Sequence, residues 1–222
     1  MKAGPLFAGA LTGAMFEPRV PHRSFFDFSF QCPYRAQPPK GDGNLRDWSA
    51  DERLPDLMGV EGDEPYATLF ASWDDTGLYF GLEINRKTAY KIKPKEATKG
   101  DCLELWIDTR DMKDSHRANR YCHRFYFLPG GRGSDGKQPI GRHTHIDSAR
   151  EQSPPCPEDA IQIGLRRLKR SCQMEIKIPA EGLNGFQPRE FRRIGFNYIL
   201  HDAEKGRQSW TSSDDDDRGG DP

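Results

Sequence analysis

Apolar and polar residues alternate in short runs along most of the chain. Successive side chains of a strand point to opposite faces, so Leu103, Leu105 and Ile107 share one side of a strand while Cys102, Glu104, Trp106 and Asp108 share the other. The same period of two recurs over Ala67 to Trp73, Leu78 to Ile84, Tyr121 to Leu128, Ile161 to Leu165, Cys172 to Ile178 and Ile194 to Leu200. Turn chemistry separates the runs, as in Asp74-Asp75-Thr76-Gly77, Pro129-Gly130-Gly131 and Asp135-Gly136. Short strands at this spacing predict an all-β fold, a two-sheet antiparallel β-sandwich. Its expected core is Leu69, Ala71, Trp73, Leu78, Phe80, Leu82, Leu103, Leu105, Ile107, Phe125, Phe127, Ile176, Ile194, Phe196 and Tyr198.

Outside that rhythm the chain divides into three. Residues 1–40 form an N-terminal arm with one expected strand, where Phe26, Phe28, Phe30 and Cys32 alternate with polar residues. The sandwich is expected over 41–213, and 214–222 is an acidic tail whose composition predicts disorder. Helical periodicity is scarce. Met112 to Asn119 and Pro179 to Leu183 are each expected to make a turn or two of helix, and Arg132 to Pro157, rich in Pro and Gly, is expected to be one long surface loop.

Candidate chemistry concentrates on two of the runs. The polar side of Cys102 to Asp108 joins carboxylates to an indole, giving acceptors for hydroxyls and a flat apolar surface for the C–H face of a sugar. The competing structural reading has Trp106 capped by a loop or second sheet and Glu104 salt-bridged. In Arg120 to Pro129, Tyr121, His123, Phe125 and Phe127 share one face and Arg120, Cys122, Arg124 and Tyr126 the other. If these strands neighbour each other, Glu104, Trp106, Arg124 and Tyr126 make one polar-aromatic patch, and His123 is read as a core histidine.

Other chemistries fit poorly. Glu104 and Asp108 are four apart on a strand, roughly 13 Å, whereas retaining glycosidase pairs need about 5 Å and inverting pairs about 6.5 to 9.5 Å. Gly-x-Ser-x-Gly and Walker patterns are absent from the sequence. His143, His145 and His116 have no companions at metal-ligand spacing. Neither a metal nor a cofactor is expected. The basic run Arg166 to Arg170 falls where a hairpin turn belongs, so it reads as a solvated turn.

Composition narrows the partners. The 222 residues carry 33 Lys+Arg against 34 Asp+Glu, a net charge of -1 that provides no global field for nucleic acid or a membrane surface. No run reaches the roughly 18 to 20 apolar residues of a membrane-spanning helix. Met1 to Phe16 looks like a weakened signal segment, interrupted by Pro5 and three glycines. Five cysteines, odd in number and without CxxC spacing, favour free thiols and a reducing, cytoplasmic setting over a periplasmic or secreted one.

Four motifs in order then resemble a known family. Asp42-Gly-Asn-Leu-Arg-Asp-Trp48, Ala71-Ser-Trp-Asp-Asp-Thr-Gly-Leu-Tyr-Phe80, Gly100-Asp-Cys-Leu-Glu-Leu-Trp-Ile-Asp108 and Ile194-Gly-Phe-Asn-Tyr-Ile-Leu-His-Asp-Ala203, the last followed by Gly206-Arg207 and Ser209-Trp210, are similar to the family 9 carbohydrate-binding modules and their DOMON-like relatives. The resemblance spans about residues 40–211. It implies a two-sheet sandwich that binds a saccharide without catalysing its turnover, often as an accessory to a glycoside hydrolase. By motif alignment Glu104 matches a sugar-binding Glu and Arg124 the Arg that accompanies it. Two sandwiching tryptophans of the family have no counterpart: Thr98 stands at the first position, and Thr211-Ser-Ser-Asp-Asp-Asp-Asp217 follows Trp210 where the second belongs. The DOMON-like alternative implies a protein-interaction module, or a haem-binding redox module with Met112 and His123 as its nearest ligand candidates.

Overall fold

The computed structural model describes residues 28–85, 89–113 and 117–211. Its strands are β1 (Ala67–Asp74), β2 (Gly77–Asn85), β3 (Cys102–Asp108), β4 (Cys122–Arg132), β5 (Gln138–Thr144), β6 (Gln162–Arg167), β7 (Ser171–Pro179), β8 (Gly195–Asp202) and β9 (Gly206–Ser209), and the described residues contain no α-helix. Two sheets result, ordered β1-β2-β7-β6 and β5-β4-β3-β8-β9. Every neighbouring pair is antiparallel. The expected all-β antiparallel sandwich is what the chain forms.

Alternation explains how the sheets meet. Leu78, Phe80 and Leu82 of β2 stand opposite Ile178, Ile176 and Met174 of β7, and all six are buried. From the other sheet, Leu103, Leu105, Ile107, Phe125 and Phe127 face them, none more than 1% exposed. The rings of Phe80 and Phe196 stack between the sheets with centroids 5.7 Å apart. Each such side chain contributes about 1.5–3 kcal/mol on full burial, so this layer, not the short turns, holds the sheets together. Trp73, Ile194 and Phe196 belong to the expected core but are only partly buried, packing at its rim.

The outer face of the four-stranded sheet is plugged by the Asp42–Trp48 motif. Leu45 and Trp48 lie on Tyr79 and Phe70, and the approach is close because Gly164 has no side chain: a Cβ there would come 2.3 Å from the Gly41 carbonyl oxygen. Beneath the plug, buried Glu175 accepts hydrogen bonds from Gly43 N (2.8 Å) and Trp48 Nε1 (3.0 Å). This motif therefore serves the fold.

Three expectations are corrected, and one strand is added. The segment 132–157 is not one loop, since Gln138–Thr144 pairs with β4 as β5. Among the described residues of 112–119 there is no helix, while Ala180–Gly182 makes a single 3-10 turn capped by Pro179. The arm's expected strand does not extend over 28–32; Tyr34 instead makes one parallel bridge to Trp73, and Phe30 and Cys32 pack against the core without a ladder. A short strand, β9, was not foreseen. Residues 26 and 27 and the acidic tail 214–222 lie outside the described residues.

Candidate functional site

The outer face of the five-stranded sheet carries the candidate site. In the β3–β4 ladder Glu104 stands opposite Tyr126 and Trp106 opposite Arg124, so the four residues expected to form a patch do come together. On the other side of β3, the β8 ladder brings His201 opposite Cys102. Arg124 Nε donates to Glu104 Oε1 at 2.7 Å, and His201 Nε2 lies 2.8 Å from Glu104 Oε2. Both carboxylate oxygens are thus fixed by neighbouring strands.

The electrostatics follow from that pairing. Burial alone would raise the Glu104 carboxyl, but the His201 hydrogen bond and the Arg124 charge outweigh it and hold the group below the usual carboxylate range. Burial first, and then the Glu104 charge, push the Tyr126 phenol up. The Arg124 guanidinium lies 4.6 Å from the Trp106 ring centroid and 4.9 Å from that of Tyr126, a cation held over two aromatic faces.

Two caps frame this centre. At one end Ile92 and Ala97 pack with Cys102, Leu128, Ile140 and Tyr126; at the other Ala118, Ile146 and Ala149 close over Trp106 and Cys122. Between the caps the Arg124 side chain is 22% exposed and Glu104 only 2%. What faces solvent is a guanidinium anchored through one nitrogen, with donors left over, beside a half-buried phenol. Such a surface can hydrogen-bond vicinal hydroxyls.

Trp106 follows the competing structural reading given by the sequence, capped rather than open to a ligand: the ring is 5% exposed, with Arg124 over it and Ala118, Ile146 and Ala149 packed against it. Its Nε1 is buried without an acceptor. Trp106 positions Arg124. Thr98, at the first missing platform position, is exposed on the 3-10 turn Ala97–Lys99 beside the Ile92 cap.

Sequence reasoning missed two neighbours. His201 lies inside a quoted motif, yet a lone histidine there carries no pattern. Arg142 of β5 stands opposite Tyr126 and donates through Nε to Glu158 at 2.7 Å; nothing in its surroundings marked it.

The other candidates disperse. Asp108 caps its own turn, accepting from Arg110 N (2.9 Å) and Met112 N (2.8 Å). His123 is 0% exposed between the sheets, its ring stacked on Phe125 and near His143, and burial drives it down to about 4. Met112 is 45% exposed on a surface turn, so it and His123 do not converge on one space. His143 is committed to Cys156 N (3.1 Å) and Ser153 Oγ (3.2 Å). Among the described residues no group of three or more His, Cys, Asp or Glu is placed to hold a metal ion.

No protein-family model matches the sequence, and no curated protein matches it. Solved structures do match. A family 9 carbohydrate-binding module from Caldicellulosiruptor kristjanssonii, solved in complex with cellotriose, superposes with a TM-score of 0.50 at 11% identity, covering 82% of each chain. The fold is that of a family 9 carbohydrate-binding module. A looser match, with a TM-score of 0.41 and 8% identity, is a Bacteroides uniformis protein suggested to bind carbohydrate, over 71% of this chain and 74% of the other.

Proposed function

We propose that the chain is a non-catalytic carbohydrate-binding module whose binding face is built on Glu104, Arg124 and Tyr126, with Trp106 beneath Arg124. The observation that carries the reading is Glu104: a buried carboxylate clamped by Arg124 and His201 on a sheet face, with the guanidinium still partly open to solvent. A fixed charged hydrogen-bonding group is what a hydroxyl-rich ligand needs to be selected against water. Cellotriose occupies the module from Caldicellulosiruptor kristjanssonii, which makes β-linked glucans the first ligands to try.

Affinity is modest in this reading. With the indole covered and Thr98 at one platform position, there is little ring surface to stack on a sugar, so dissociation constants of about 0.1 to 1 mM are expected, equivalent to ~4 to 5.5 kcal/mol. Calorimetry against gluco-, xylo- and manno-oligosaccharides tests it. Binding of one series, lost in Arg124→Gln and in Glu104→Gln while both variants stay folded, is the expected result. Failure of every series at millimolar concentration, or binding indifferent to both substitutions, puts the protein-interaction reading in its place.

A further inference from the structure

The basic run Arg166 to Arg170 ends β6 and turns the chain into β7, the turn being closed by Leu168 N, which donates to Ser171 O (2.8 Å). It does not stand alone. Arg167 Nη2 donates to the carbonyl oxygens of Pro129 and Lys137, so this hairpin leans on the turn between β4 and β5. The same guanidinium lies 5.9 Å from the Tyr90 ring centroid. Tyr90 opens a strap, residues 90–99, whose Ile92 and Pro94 pack so closely on Gly131 that a Cβ there would come 3.1 and 3.0 Å from them. Two hairpin turns and the strap therefore make one continuous surface across this end of the sandwich.

Its charge is one-sided. The strap carries Lys91, Lys93, Lys95 and Lys99, the β4–β5 turn carries Arg132 and Lys137, and the β6–β7 hairpin carries Arg166, Arg167, Lys169 and Arg170. Three are paired: Lys99 with Glu96 (2.5 Å), Lys137 with Asp135 (3.6 Å), and Arg132 with Glu158 (3.3 Å), an acid that Arg142 shares. The others form no ion pair among the described residues. Further acids within reach are few: Asp101 is buried and accepts from Lys91 N and Ala203 N, Asp159 follows Glu158, and Asp42 and Glu83 flank Arg166. With all of these and Arg142 counted, the cations still exceed the acids by four. The β8–β9 hairpin adds two of each sign. Asp63 and Glu64 precede β1, three strand spacings or about 14 Å from β6, beyond a Debye length of ~8 Å.

What the surface exposes selects its partner. Arg167 covers Tyr90, and none of the largely exposed rings of the described residues lies here, so a base or a sugar has nothing to stack on. The space beneath the strap, between Tyr90, Cys102 and Met174, is about 10 Å³, too small for a ligand. Leu168, by contrast, is 39% exposed at the hairpin tip, between Arg167 and Lys169.

We propose that this end of the sandwich docks on an anionic lipid surface, its lysines and arginines against the headgroups and Leu168 reaching between them. Each cation near such a surface adds attraction that fades within a Debye length, and an inserted apolar side chain adds a part that salt does not screen. The net charge of -1 does not oppose this, because the excess is local. The surface is separate from the Glu104 face and does not depend on it.

Co-sedimentation of the full chain with vesicles of phosphatidylcholine alone, and of phosphatidylcholine mixed with phosphatidylserine, tests the proposal. The mixed vesicles are expected to bind at least tenfold more tightly at low salt, and less tightly as salt rises. Lys169→Glu combined with Arg170→Glu is expected to weaken that binding at least tenfold, and Leu168→Ser at least threefold, with the circular dichroism of the parent protein kept. Glu104→Gln should leave it unchanged, which separates this surface from the proposed sugar face. Polygalacturonate and single-stranded DNA serve as soluble polyanions for comparison, since neither can use Leu168. No preference for the mixed vesicles, binding that survives the charge reversal in a folded variant, indifference to Leu168→Ser, or tighter binding of either soluble polyanion per unit of negative charge would each overturn it.

Discussion

Arg124 stands directly opposite Trp106 in the β3–β4 ladder but bonds diagonally to Glu104, two pairs further along and on the same face. The indole is thereby roofed by the cation, and the carboxylate is left with no solvent-facing oxygen of its own. Removing Arg124 strands a buried charge, whereas removing the charge itself leaves only a solvent-accessible guanidinium. Arg124→Ala should therefore cost about 2–4 kcal/mol, more than Glu104→Gln, since uncompensated buried charge is the larger penalty. Urea unfolding of both variants measures the order; the reverse order would mean that Glu104 is hydrated when its partner is lost.

Trp106 gives a second test. Trp106→Ala empties a volume enclosed by Ala118, Cys122, Ile146 and Arg124 and should cost about 3–5 kcal/mol. Trp106→Phe keeps a ring and deletes an indole N–H that has no acceptor, so it should cost less than about 1.5 kcal/mol. Ligand affinity should fall in the first variant through displacement of Arg124 and hold within threefold in the second. Thermal melts and calorimetry on the pair give both numbers.

Acid should weaken the fold. His123 is driven by burial, and His143 by burial and by the facing His123 and His145, from 6.5 to about 4. Between those values the unfolded chain binds the extra protons, so stability is full above pH 6.5, declines as pH falls through the window, and levels below about 4. For fully buried His123 the loss is on the order of 3 kcal/mol, and less for the more open His143. Glu104, held low, adds a loss as pH falls below 4.5, while Glu175, raised by burial, acts in the opposite sense. His123→Phe should flatten the slope of denaturation free energy between pH 6.5 and 4 by about half.

Trp48→Phe probes the plug. The substitution keeps an aromatic ring on Tyr79 but withdraws the donor from Glu175 Oε1, leaving a buried carboxylate with the Gly43 N–H alone. A loss of about 1–3 kcal/mol is expected. Because Glu175 then gains from being protonated, the loss should shrink at pH 5 relative to pH 8, readable in paired urea titrations.

What the sequence made legible was whatever alternation reports. β3 could be read from Leu103, Leu105 and Ile107 because their faces are apolar and its turns are clear, and the same pattern placed Glu104, Trp106, Arg124 and Tyr126 on one surface. β5 could not: Gln138–Thr144 has Ile140 as its one aliphatic residue, and at Gly141 the inner face is filled instead by Ile161 and Ile163, 2.9 and 2.8 Å from where a Cβ would sit. β9 is likewise unreadable, for its buried residue is Gln208, whose side-chain amide accepts hydrogen bonds from Tyr66 N and Ala67 N and donates one to Ala67 O. A cover over Trp106 was among the readings, but which segments supply it was not legible, because Ala118, Ile146 and Ala149 reach the ring from stretches without periodicity.

The backbone of residues 33–35 has a consequence for association. Arg35 N donates to Trp73 O (2.8 Å) and Trp73 N to Pro33 O (3.1 Å), while Leu54 N donates to Leu69 O (2.8 Å). These two short stretches occupy the free hydrogen-bonding side of β1 at both of its ends, and the Arg35–Glu52 ion pair ties them to each other. An unoccupied outer strand is a template for strand addition by a second molecule. The arm thus occupies part of the edge that β1 would otherwise present, so a chain cut back past Arg35 is expected to self-associate before it unfolds.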